Sequence, residues 1–429
     1  MTRSSALVGG GLPSVAAGSA VGGWTTVGPL PSPRQWPSSQ ESAVLLDDGT
    51  ALAAGGAVVR GTGTGECLLF DPKSRSWQPT AGMAQPRLLH SLTKLEDGKV
   101  LAVGGMPQTD SLPFTYLATA ELYDPARKTW TSAGKLAIPR ALHTATLLPG
   151  GKVLVAGGTG DQTPGVRRNL RSAEVYDPGS RTWTEVEPMT DARSDHRAVR
   201  LTDGRVLLVG GYAGADLYLH VPQSFCELYD PVTGSWAPTG SLRLPRGGHQ
   251  ATPLVDGTVL VTGGFAVTMR RARMYSAHSL WQTELYNPGS GLWTPSGNMP
   301  TGRSGHRAVP LRSGRVLVLG GTDAATSDVG YAAAIVYDPR TRAWTPAAGL
   351  ATGRFYCSAT LLATERCWPP GEPYGRAWRI RSTPGTSCPA PANSSPNRGS
   401  RGSAVSAATA DLSPAAPHRS AAAARPPRP

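Results

Sequence analysis

One unit of about 53 residues recurs down the chain, and this repetition constrains the fold more than any other feature of the sequence. The tryptophans that mark it fall at Trp24, Trp77, Trp130, Trp183, Trp236, Trp293 and Trp344. The first four intervals are all 53 residues, and the last two are 57 and 51. A unit repeated at such a period has no core of its own and buries its apolar faces against its neighbours. The chain is therefore predicted to be an array of stacked units.

Each unit predicts four antiparallel strands, most clearly between residues 193 and 236. Asp203-Gly204 favours the positive φ of a two-residue hairpin turn, and the apolar run Val206–Val209 is typical of a strand buried on both faces. The pair Gly210-Gly211 ends that strand where a side chain would obstruct the backbone. Tyr229-Asp230-Pro231 ends a third strand in a turn. Trp236 lies on a fourth strand, and its indole is large enough to fill the gap between neighbouring sheets.

A repeat near 50 residues with a double glycine, Tyr-Asp-Pro and a late tryptophan resembles the kelch family. The resemblance extends from Trp24 to Leu362 and includes six complete copies. It implies an all-β fold, a kelch-type β-propeller whose four-stranded blades surround an axis. Trp24 has no first three strands before it, and Gly353 begins a unit that stops matching after Leu362. Closed propellers of this family commonly complete one blade from both chain ends, so we expect six complete blades and an incomplete seventh that includes Trp24.

The two ends of the chain lie outside the repeat. Residues 1–23 are predicted to be a flexible N-terminus, residues 24–362 the propeller, and residues 363–429 a disordered tail rich in Pro, Arg and Ala. The repeat fails abruptly at Leu362, in the middle of a hairpin. Back-translation with one base restored after Leu362 permits Leu-Leu-Gly-Asp-Gly-Thr-Val-Leu-Ala-Ala-Gly-Gly, which continues the pattern. We therefore expect the tail to be a frameshifted segment.

The net charge of +13 divides unevenly along the chain. The tail carries nine Arg against three acidic residues, so the remaining charge is spread over 362 residues. That is too dilute to indicate nucleic-acid binding, and no aromatic stacking platform lies beside a basic groove. No run reaches the ~18 apolar residues of a membrane span, and residues 1–23 lack the compact apolar core of a signal peptide. We expect a soluble monomer without nucleic-acid or membrane partners, with the cytoplasm favoured over secretion.

Five histidines each follow a repeat arginine by three residues: His90, His143, His196, His249 and His306. A ring of histidines around an axis suggests a metal site. However, a residue repeated once per blade normally serves the hydrogen bonding of that blade. Symmetry also places such side chains on a wide circle rather than around one centre. We interpret the histidines as structural and expect no metal ion or other cofactor.

The arginines of the repeat and of its longest loops are the candidate binding residues. One arginine opens the innermost strand of each unit, and the loops between the second and third strands emerge at the same end of the blades. Together they would form a cationic mouth for a protein or an acidic small ligand. The set comprises Arg87, Arg140, Arg193, Arg246, Arg303 and Arg354 from the strands, and Arg167, Arg168, Arg270, Arg271 and Arg273 from the loops. Alternatively, the strand arginines pair with a neighbouring glutamate, and the sequence leaves both interpretations open.

Copper-radical oxidases of the galactose oxidase type share a kelch-like propeller, and their final blade carries Arg-x-Tyr-His. Arg354-Phe-Tyr356-Cys357 keeps the arginine and the tyrosine but has cysteine in place of histidine. In the earlier blades, the position two residues after the arginine holds no tyrosine, although the resemblance requires a radical tyrosine there. No nucleophile elbow, HExxH motif or phosphate loop is present.

The sequence therefore predicts a non-enzymatic propeller that binds a protein or a ligand. Binding is expected on the face formed by the inter-blade loops and the second-to-third-strand loops. Two alternatives stay open. One is a degenerate relative of the galactose oxidase-like copper-radical oxidases, and the other is a truncated, non-functional product.

Overall fold

The computed structural model describes residues 24, 30–31, 43–58, 61–109, 114–163, 166–213, 221–270, 274–323 and 330–362, with side chains for all but 161–167 and 268–277. These residues belong to one unit, Met1–Pro389, and the second unit, Ala390–Pro429, lies outside them. Residues 1–23 and 363–429, for which flexible ends were predicted, also lie outside the described residues. Every element described is a β-strand, and no described helix is long and apolar enough to cross a membrane.

Six antiparallel sheets of four strands follow one another along the chain, as the repeat predicts. We number them as blades one to six and number the strands within each blade in chain order. Blade one is Ala43–Leu45, Ala51–Ala54, Cys67–Asp71 and Ser76–Thr80; blade two is Ser91–Lys94, Val100–Val103, Thr119–Asp124 and Thr129–Lys135; blade three is Thr144–Leu147, Val153–Ala156, Ala173–Asp177 and Thr182–Val186. Blade four is Arg197–Arg200, Val206–Val209, Cys226–Asp230 and Ser235–Thr239; blade five is Gln250–Pro253, Val259–Thr262, Glu284–Asn287 and Leu292–Pro295; blade six is Ser304–Pro310, Val316–Thr322, Ala334–Asp338 and Ala343–Ala347.

Further strands extend three of the connections between the second and third strands into hairpins. They are Thr159–Thr163 with Val166–Asn169 in blade three, Tyr212–Ala213 with Val221–Pro222 in blade four, and Phe265–Arg270 with Met274–Ser279 in blade five. A short strand, Arg140–Ala141, adds to the hairpin of blade three.

The apolar core lies between the blades rather than within them. Val209 and Leu228 of blade four pack with Val259 and Tyr286 of blade five in one buried cluster, and the other neighbouring pairs form equivalent clusters. First strands of successive blades adjoin from blade one to blade six. A four-stranded sheet with both faces apolar is stable only when both faces are covered, and this arrangement covers them.

The glycine pair is required because it contacts the next blade. Gly158 N donates to the carbonyl oxygen of Arg193, which opens the following blade, at 2.8 Å. A Cβ on Gly157 would lie only 2.7 Å from that oxygen, and φ at Gly157 is +62°. The same bond recurs between Gly56 and Arg87, Gly105 and Arg140, Gly211 and Arg246, Gly264 and Arg303, and Gly321 and Arg354. The double glycine is therefore a joint between blades.

The tryptophan forms a second joint. Trp236 Nε1 donates to the carbonyl oxygen of Glu187 in the preceding blade at 2.6 Å. Equivalent bonds join Trp130 to Ala81, Trp183 to Ala133, Trp293 to Gly240 and Trp344 to Gly297. Each of these tryptophans thus packs against the tyrosine at the end of the third strand of its own blade and is hydrogen-bonded to the preceding blade.

Residues from both ends of the repeat region lie between blade six and blade one. Trp24 Nε1 donates to the carbonyl oxygen of Ala348 in blade six at 2.5 Å, which is the bond that a seventh-blade tryptophan would make. Arg354 accepts the glycine-pair bond from blade six. On the other side, Leu30 and Leu362 pack into the buried cluster of blade one. The seventh position therefore contains Trp24 and residues 354–362, as the repeat predicts.

Candidate functional site

The strand arginines of blades two to five are buried and ion-paired. Arg193 Nη2 lies 2.8 Å from Oε1 of Glu227, and both side chains have a relative exposure of 0%. The other pairs are Arg87 with Glu121 at 2.7 Å, Arg140 with Glu174 at 3.0 Å, and Arg246 with Glu284 at 2.7 Å. Nη1 of Arg193 also donates to the carbonyl oxygens of Gly210 and Phe225. Burial lowers the pKa of Arg193, and the charge of Glu227 opposes that shift.

This burial corrects one part of the sequence prediction. Arg87, Arg140, Arg193, Arg246 and Arg303 are exposed by 1% at most, so their guanidinium groups are not available to a partner at the surface. Their role is structural. In blades two to five the ion pair links the arginine at the start of the first strand to a buried glutamate on the third strand. The second carboxylate oxygen of that glutamate accepts a backbone hydrogen bond; in blade four, Thr190 N donates to Oε2 of Glu227 at 2.7 Å.

Blade six lacks the glutamate. Ile335 occupies the third-strand position, opposite Val318, that Glu227 occupies opposite Leu208 in blade four. Arg303 Nη1 still donates to the carbonyl oxygens of Gly320 and Ala333. Burial without a paired carboxylate lowers the pKa of Arg303 to about 10. Among the described residues no carboxylate pairs with this buried cation, so its desolvation is not offset there by an ion pair.

Arg354 begins the segment at the seventh position and is partly buried. Its Nη1 atom is buried and has no hydrogen-bond partner in the described part of the chain. In blades two to four the acceptors for the equivalent arginine lie 17 and 34 residues further on, for example Gly210 and Glu227 for Arg193. The corresponding positions after Arg354 lie outside the described residues.

Three of the five repeat histidines, His143, His196 and His306, are hydrogen-bonded to the preceding blade. Nε2 of His143 lies 2.9 Å from Oγ of Ser91 in the preceding blade, and Nε2 of His196 lies 2.9 Å from Oγ1 of Thr144. Burial and the charge of Arg87 lower the pKa of His90 to about 3. Burial likewise lowers the pKa of each of the other four histidines well below its usual value. The hydrogen bonds of these three histidines run between blades and not within one blade, whereas the ring nitrogens of His90 and His249 have no hydrogen-bond partner in the described part of the chain.

Asp195, Tyr212 and Tyr356 converge at the end of the axis where the first strands begin. A Cβ placed on Gly248 would lie 3.9 Å from Oδ2 of Asp195 and 3.7 Å from the hydroxyl of Tyr212. Tyr356 N donates to the carbonyl oxygen of Gly305 at 2.7 Å, and its ring covers that glycine. Burial raises the pKa of both tyrosines, and the charge of Asp195 raises them further. The mouth therefore presents a carboxylate and two protonated phenols.

Sequence reasoning did not identify this group because its members come from two separate parts of the repeat region, blade four and the seventh position. The available signal was the variation at one repeat position, which holds Leu89, Leu142, Asp195, Gly248, Gly305 and Tyr356. Among the described residues, no three or more His, Cys, Asp or Glu side chains are arranged to hold a metal ion. The chemistry that the mouth offers is hydrogen bonding and one negative charge.

The second-to-third-strand hairpins form a rim at the same end of the blades. Arg168 lies on the hairpin of blade three and is exposed, and Arg167 precedes it on the same strand. Arg270 ends the first strand of the blade-five hairpin. Arg271 and Arg273, which were predicted to act with them, lie outside the described residues. Arg168 is therefore exposed on a hairpin, whereas the strand arginines of blades two to six are buried within the blades.

The axis itself contains a cavity of about 270 Å³, lined by first-strand residues of blades two to six. Arg197 is the charged side chain of its described wall, where it lies with Ser91, Thr144, Gln250 and Thr252. This polar lining was not predicted, because the sequence does not reveal which residues of successive first strands face the axis.

Comparison with known proteins agrees with this geometry. Residues 140–190 match the Kelch motif. The chain is 29% identical over 230 residues to human Kelch-like protein 34, covering 53% of this chain and 32% of that protein. It is 25% identical over 269 residues to mouse Kelch-like protein 15, covering 59% of this chain and 42% of that protein. The chain thus spans less than half the length of these curated relatives.

Two solved structures share the fold. A fungal alcohol oxidase of the AA5 family in complex with copper superimposes with a TM-score of 0.64 at 20% identity, over 80% of this chain and 71% of that one. YjhT superimposes with a TM-score of 0.56 at 15% identity, over 75% of this chain and 99% of that one. At these identities the likeness establishes architecture and not activity. From the motif, the relatives and the blade geometry together, the chain is a kelch-repeat β-propeller.

Proposed function

We propose that this propeller is a non-enzymatic binding module whose partner is a protein that docks on the rim. The observation that carries the proposal is the set of three hairpins, in blades three, four and five, that extend from one end of the blades. Loops displayed on a rigid scaffold are where binding residues concentrate. The similarity to the Kelch-like proteins supports a protein as the partner.

The rim is held in place by contacts between neighbouring hairpins and blades. Asn169 Nδ2 in blade three donates to the carbonyl oxygen of Tyr212 in blade four at 3.1 Å. Ser279 Oγ in blade five donates to the carbonyl oxygen of Thr322 in blade six at 3.0 Å. A surface fixed in this way loses little conformational entropy when a partner binds.

The charge of the rim favours a partner with an acidic surface. Arg168 and Arg171 are exposed beside the hairpin of blade three. Arg167, Arg270, Arg271 and Arg273 add positive charge to the same two loops in the sequence. Exposed arginines contribute modestly one by one, but a cluster steers association with an oppositely charged surface.

The test compares two variants with the same change in net charge. In the rim variant, Arg167, Arg168, Arg270, Arg271 and Arg273 are replaced by Ser. In the control, five arginines of the third-to-fourth-strand turns at the opposite end of the blades are replaced by Ser: Arg75, Arg127, Arg181, Arg340 and Arg342. Each immobilised protein is exposed to an extract of the source cells, and captured proteins are quantified by mass spectrometry.

We expect the wild-type and control proteins to capture the same partner and the rim variant to lose it, with the rim variant still folded. Equal capture by the rim variant and wild type would refute docking on the rim. The non-enzymatic assignment has its own test. Stoichiometric copper that survives dialysis and is lost in Tyr356→Phe would replace it with a copper oxidase.

A further inference from the structure

The fourth strand of blade two differs from the other fourth strands at one repeat position. Two residues after the repeat tryptophan, blade two has Ser132 and blade three has Glu185, whereas the other four blades have proline. The prolines are Pro79, Pro238, Pro295 and Pro346. In all six blades this residue lies opposite the third-strand residue that precedes the Tyr or Phe of the turn by two. The six residues therefore occupy one structural position.

The prolines show where the backbone N–H at this position points. A proline has no N–H to donate, so within a sheet it is found where that group would face away from the neighbouring strand. The N–H of Ser132 therefore faces outward from blade two. The fourth strand is the last in each sheet, and no described strand pairs with its outer side. Blade two thus keeps an outward donor that proline removes from four blades and that a charged side chain accompanies in blade three.

The outer side of Thr129–Lys135, which we call the edge of blade two, is exposed and regular. Thr129, Thr131 and Ser132 are exposed. The strand pairs with the third strand in one unbroken register from Thr129 to Ser132, and the register shifts only beyond that point. Threonine has a high β-propensity, and none of these exposed residues is charged. An uncharged, regular edge with a free donor is a template for a further strand.

Two lysines flank the edge and restrict what can pair with it. Lys128 precedes the strand and Lys135 ends it, and both side chains are exposed. Antiparallel pairing of this edge with itself in a second copy, centred near the middle of the strand, would place Lys128 opposite Lys135. Like charges directly opposite each other destabilise a strand pair, whereas opposite charges stabilise it. The edge therefore fits a different chain that has acidic residues opposite the lysines.

We propose that the edge of blade two binds an extended segment of a partner protein as a fifth strand. Main-chain hydrogen bonds to the outward groups of the edge, including the N–H of Ser132, provide the pairing. Acidic residues near the two ends of the segment pair with Lys128 and Lys135. This site uses no residue of the rim and is independent of the docking proposed above, so the rim variant is expected to keep it.

The test is fluorescence anisotropy of the full chain with the labelled peptide Glu-Thr-Val-Thr-Val-Thr-Val-Glu, whose glutamates have the spacing of Lys128 and Lys135. Ser132→Pro gives blade two the residue that four other blades have at this position, so the fold is expected to persist. We expect this variant to bind the peptide at least about tenfold more weakly than wild type. Ser132→Ala is the matched control, because it keeps the N–H, and its affinity is expected to stay within about twofold of wild type.

Two further measurements separate strand pairing from attraction between charges. The same peptide N-methylated at every Thr and Val cannot donate to the ladder and is expected to bind at least about tenfold more weakly. The double variant Lys128→Glu, Lys135→Glu is expected to lose the first peptide and to bind one with Lys in place of both Glu, which tests the site even if Ser132→Pro does not fold.

The proposal is overturned if wild type does not bind the first peptide, or if wild type and Ser132→Pro bind it equally. Equal binding of the N-methylated peptide would also overturn it, because the attraction would then be one of charge alone. So would a wild-type dimer in analytical ultracentrifugation that Ser132→Pro abolishes, because the edge would then bind a second copy of the chain.

Discussion

Acidification from pH 7.5 to 5.5 is predicted to destabilise this protein severely, because five histidines are buried in their neutral form. Their relative exposures are between 0% and 3%. Burial lowers the pKa of all five, to about 3 for His90, and well below the usual value for the others. In the unfolded chain the same side chains titrate near pH 6.5.

The sign follows from proton uptake. Below pH 6.5 the unfolded state binds protons that the folded state does not, so acid favours unfolding. Between pH 7.5 and 5.5, the uptake of a proton by one such histidine in the unfolded state lowers the free energy of unfolding by about 1.4 kcal/mol. Five together cost about 7 kcal/mol on the same basis. Since a whole domain is stabilised by only about 5–15 kcal/mol, this change alone brings the protein close to its unfolding threshold.

The assay is urea unfolding at pH 7.5, 6.5 and 5.5, with the free energy extrapolated to water. These values lie above the range in which most carboxylates titrate, so histidine dominates the change. His249→Leu provides the matched variant, because neither ring nitrogen of His249 has a partner in the described residues. Its loss of stability between pH 7.5 and 5.5 is expected to be smaller than that of wild type by about 1.4 kcal/mol.

Two results would refute this reasoning. One is a decrease in the free energy of unfolding of less than about 2 kcal/mol between pH 7.5 and 5.5, because two buried histidines alone would lower it by more than that. The other is an NMR titration in which the buried ring resonances shift with midpoints near pH 6.5 in the folded protein.

Three further predictions concern the buried arginine of blade six, the tryptophan of the seventh position and the reading frame after Leu362. Ile335→Glu should stabilise the protein by about 1–2 kcal/mol, measured as a higher urea midpoint, because the new carboxylate pairs with buried Arg303; a lower midpoint would contradict the pairing. Trp24→Phe should lower the free energy of unfolding by about 1 kcal/mol, because it removes the hydrogen bond to Ala348. Deleting the segment that carries Trp24 should lower it further. Unchanged thermal unfolding after that deletion would mean that six blades close without the seventh. Sequencing the gene across the Leu362 codon should reveal a frame that continues with Val-Leu-x-x-Gly-Gly and then Tyr-Asp-Pro; if none does, the tail is native.

The elements of the fold were predictable because their causes are local. A turn at Asp203-Gly204 was predictable from these two residues, although it is not the two-residue turn expected: Leu201 N donates to the carbonyl oxygen of Arg205, and of the pair Gly204 alone has a positive φ. The apolar run Val206–Val209 is buried on both faces, as its composition indicates. Period and composition also placed Trp24 at a seventh blade, where its indole bonds to Ala348.

The roles of the charged and ionisable residues were not predictable in the same way. Arg193 and Glu227 are 34 residues apart in sequence, and the sequence left ligand binding and ion pairing equally open for that arginine. Only the folded blade brings the two side chains within 2.8 Å and excludes water from both. The expected cationic mouth instead contains Asp195 with two tyrosines, because the strand arginines of blades two to six are buried within the blades.

The sequence alone therefore determined the repeat, the four strands of each blade and the family resemblance, because turn formation and strand burial depend on neighbouring residues. Tertiary structure decided which side chains meet. Ser91 lies within hydrogen-bond distance of His143, although the two residues belong to different blades. Arg197 lines the axial cavity together with first-strand residues of other blades, and equivalent positions in successive blades are about 53 residues apart in the chain. The repeat interval shows that the blades are alike, but it does not specify the distance between neighbouring blades. Distance across the axis is set by the packing of the blades against one another, and that packing determines burial, pKa and access to a ligand.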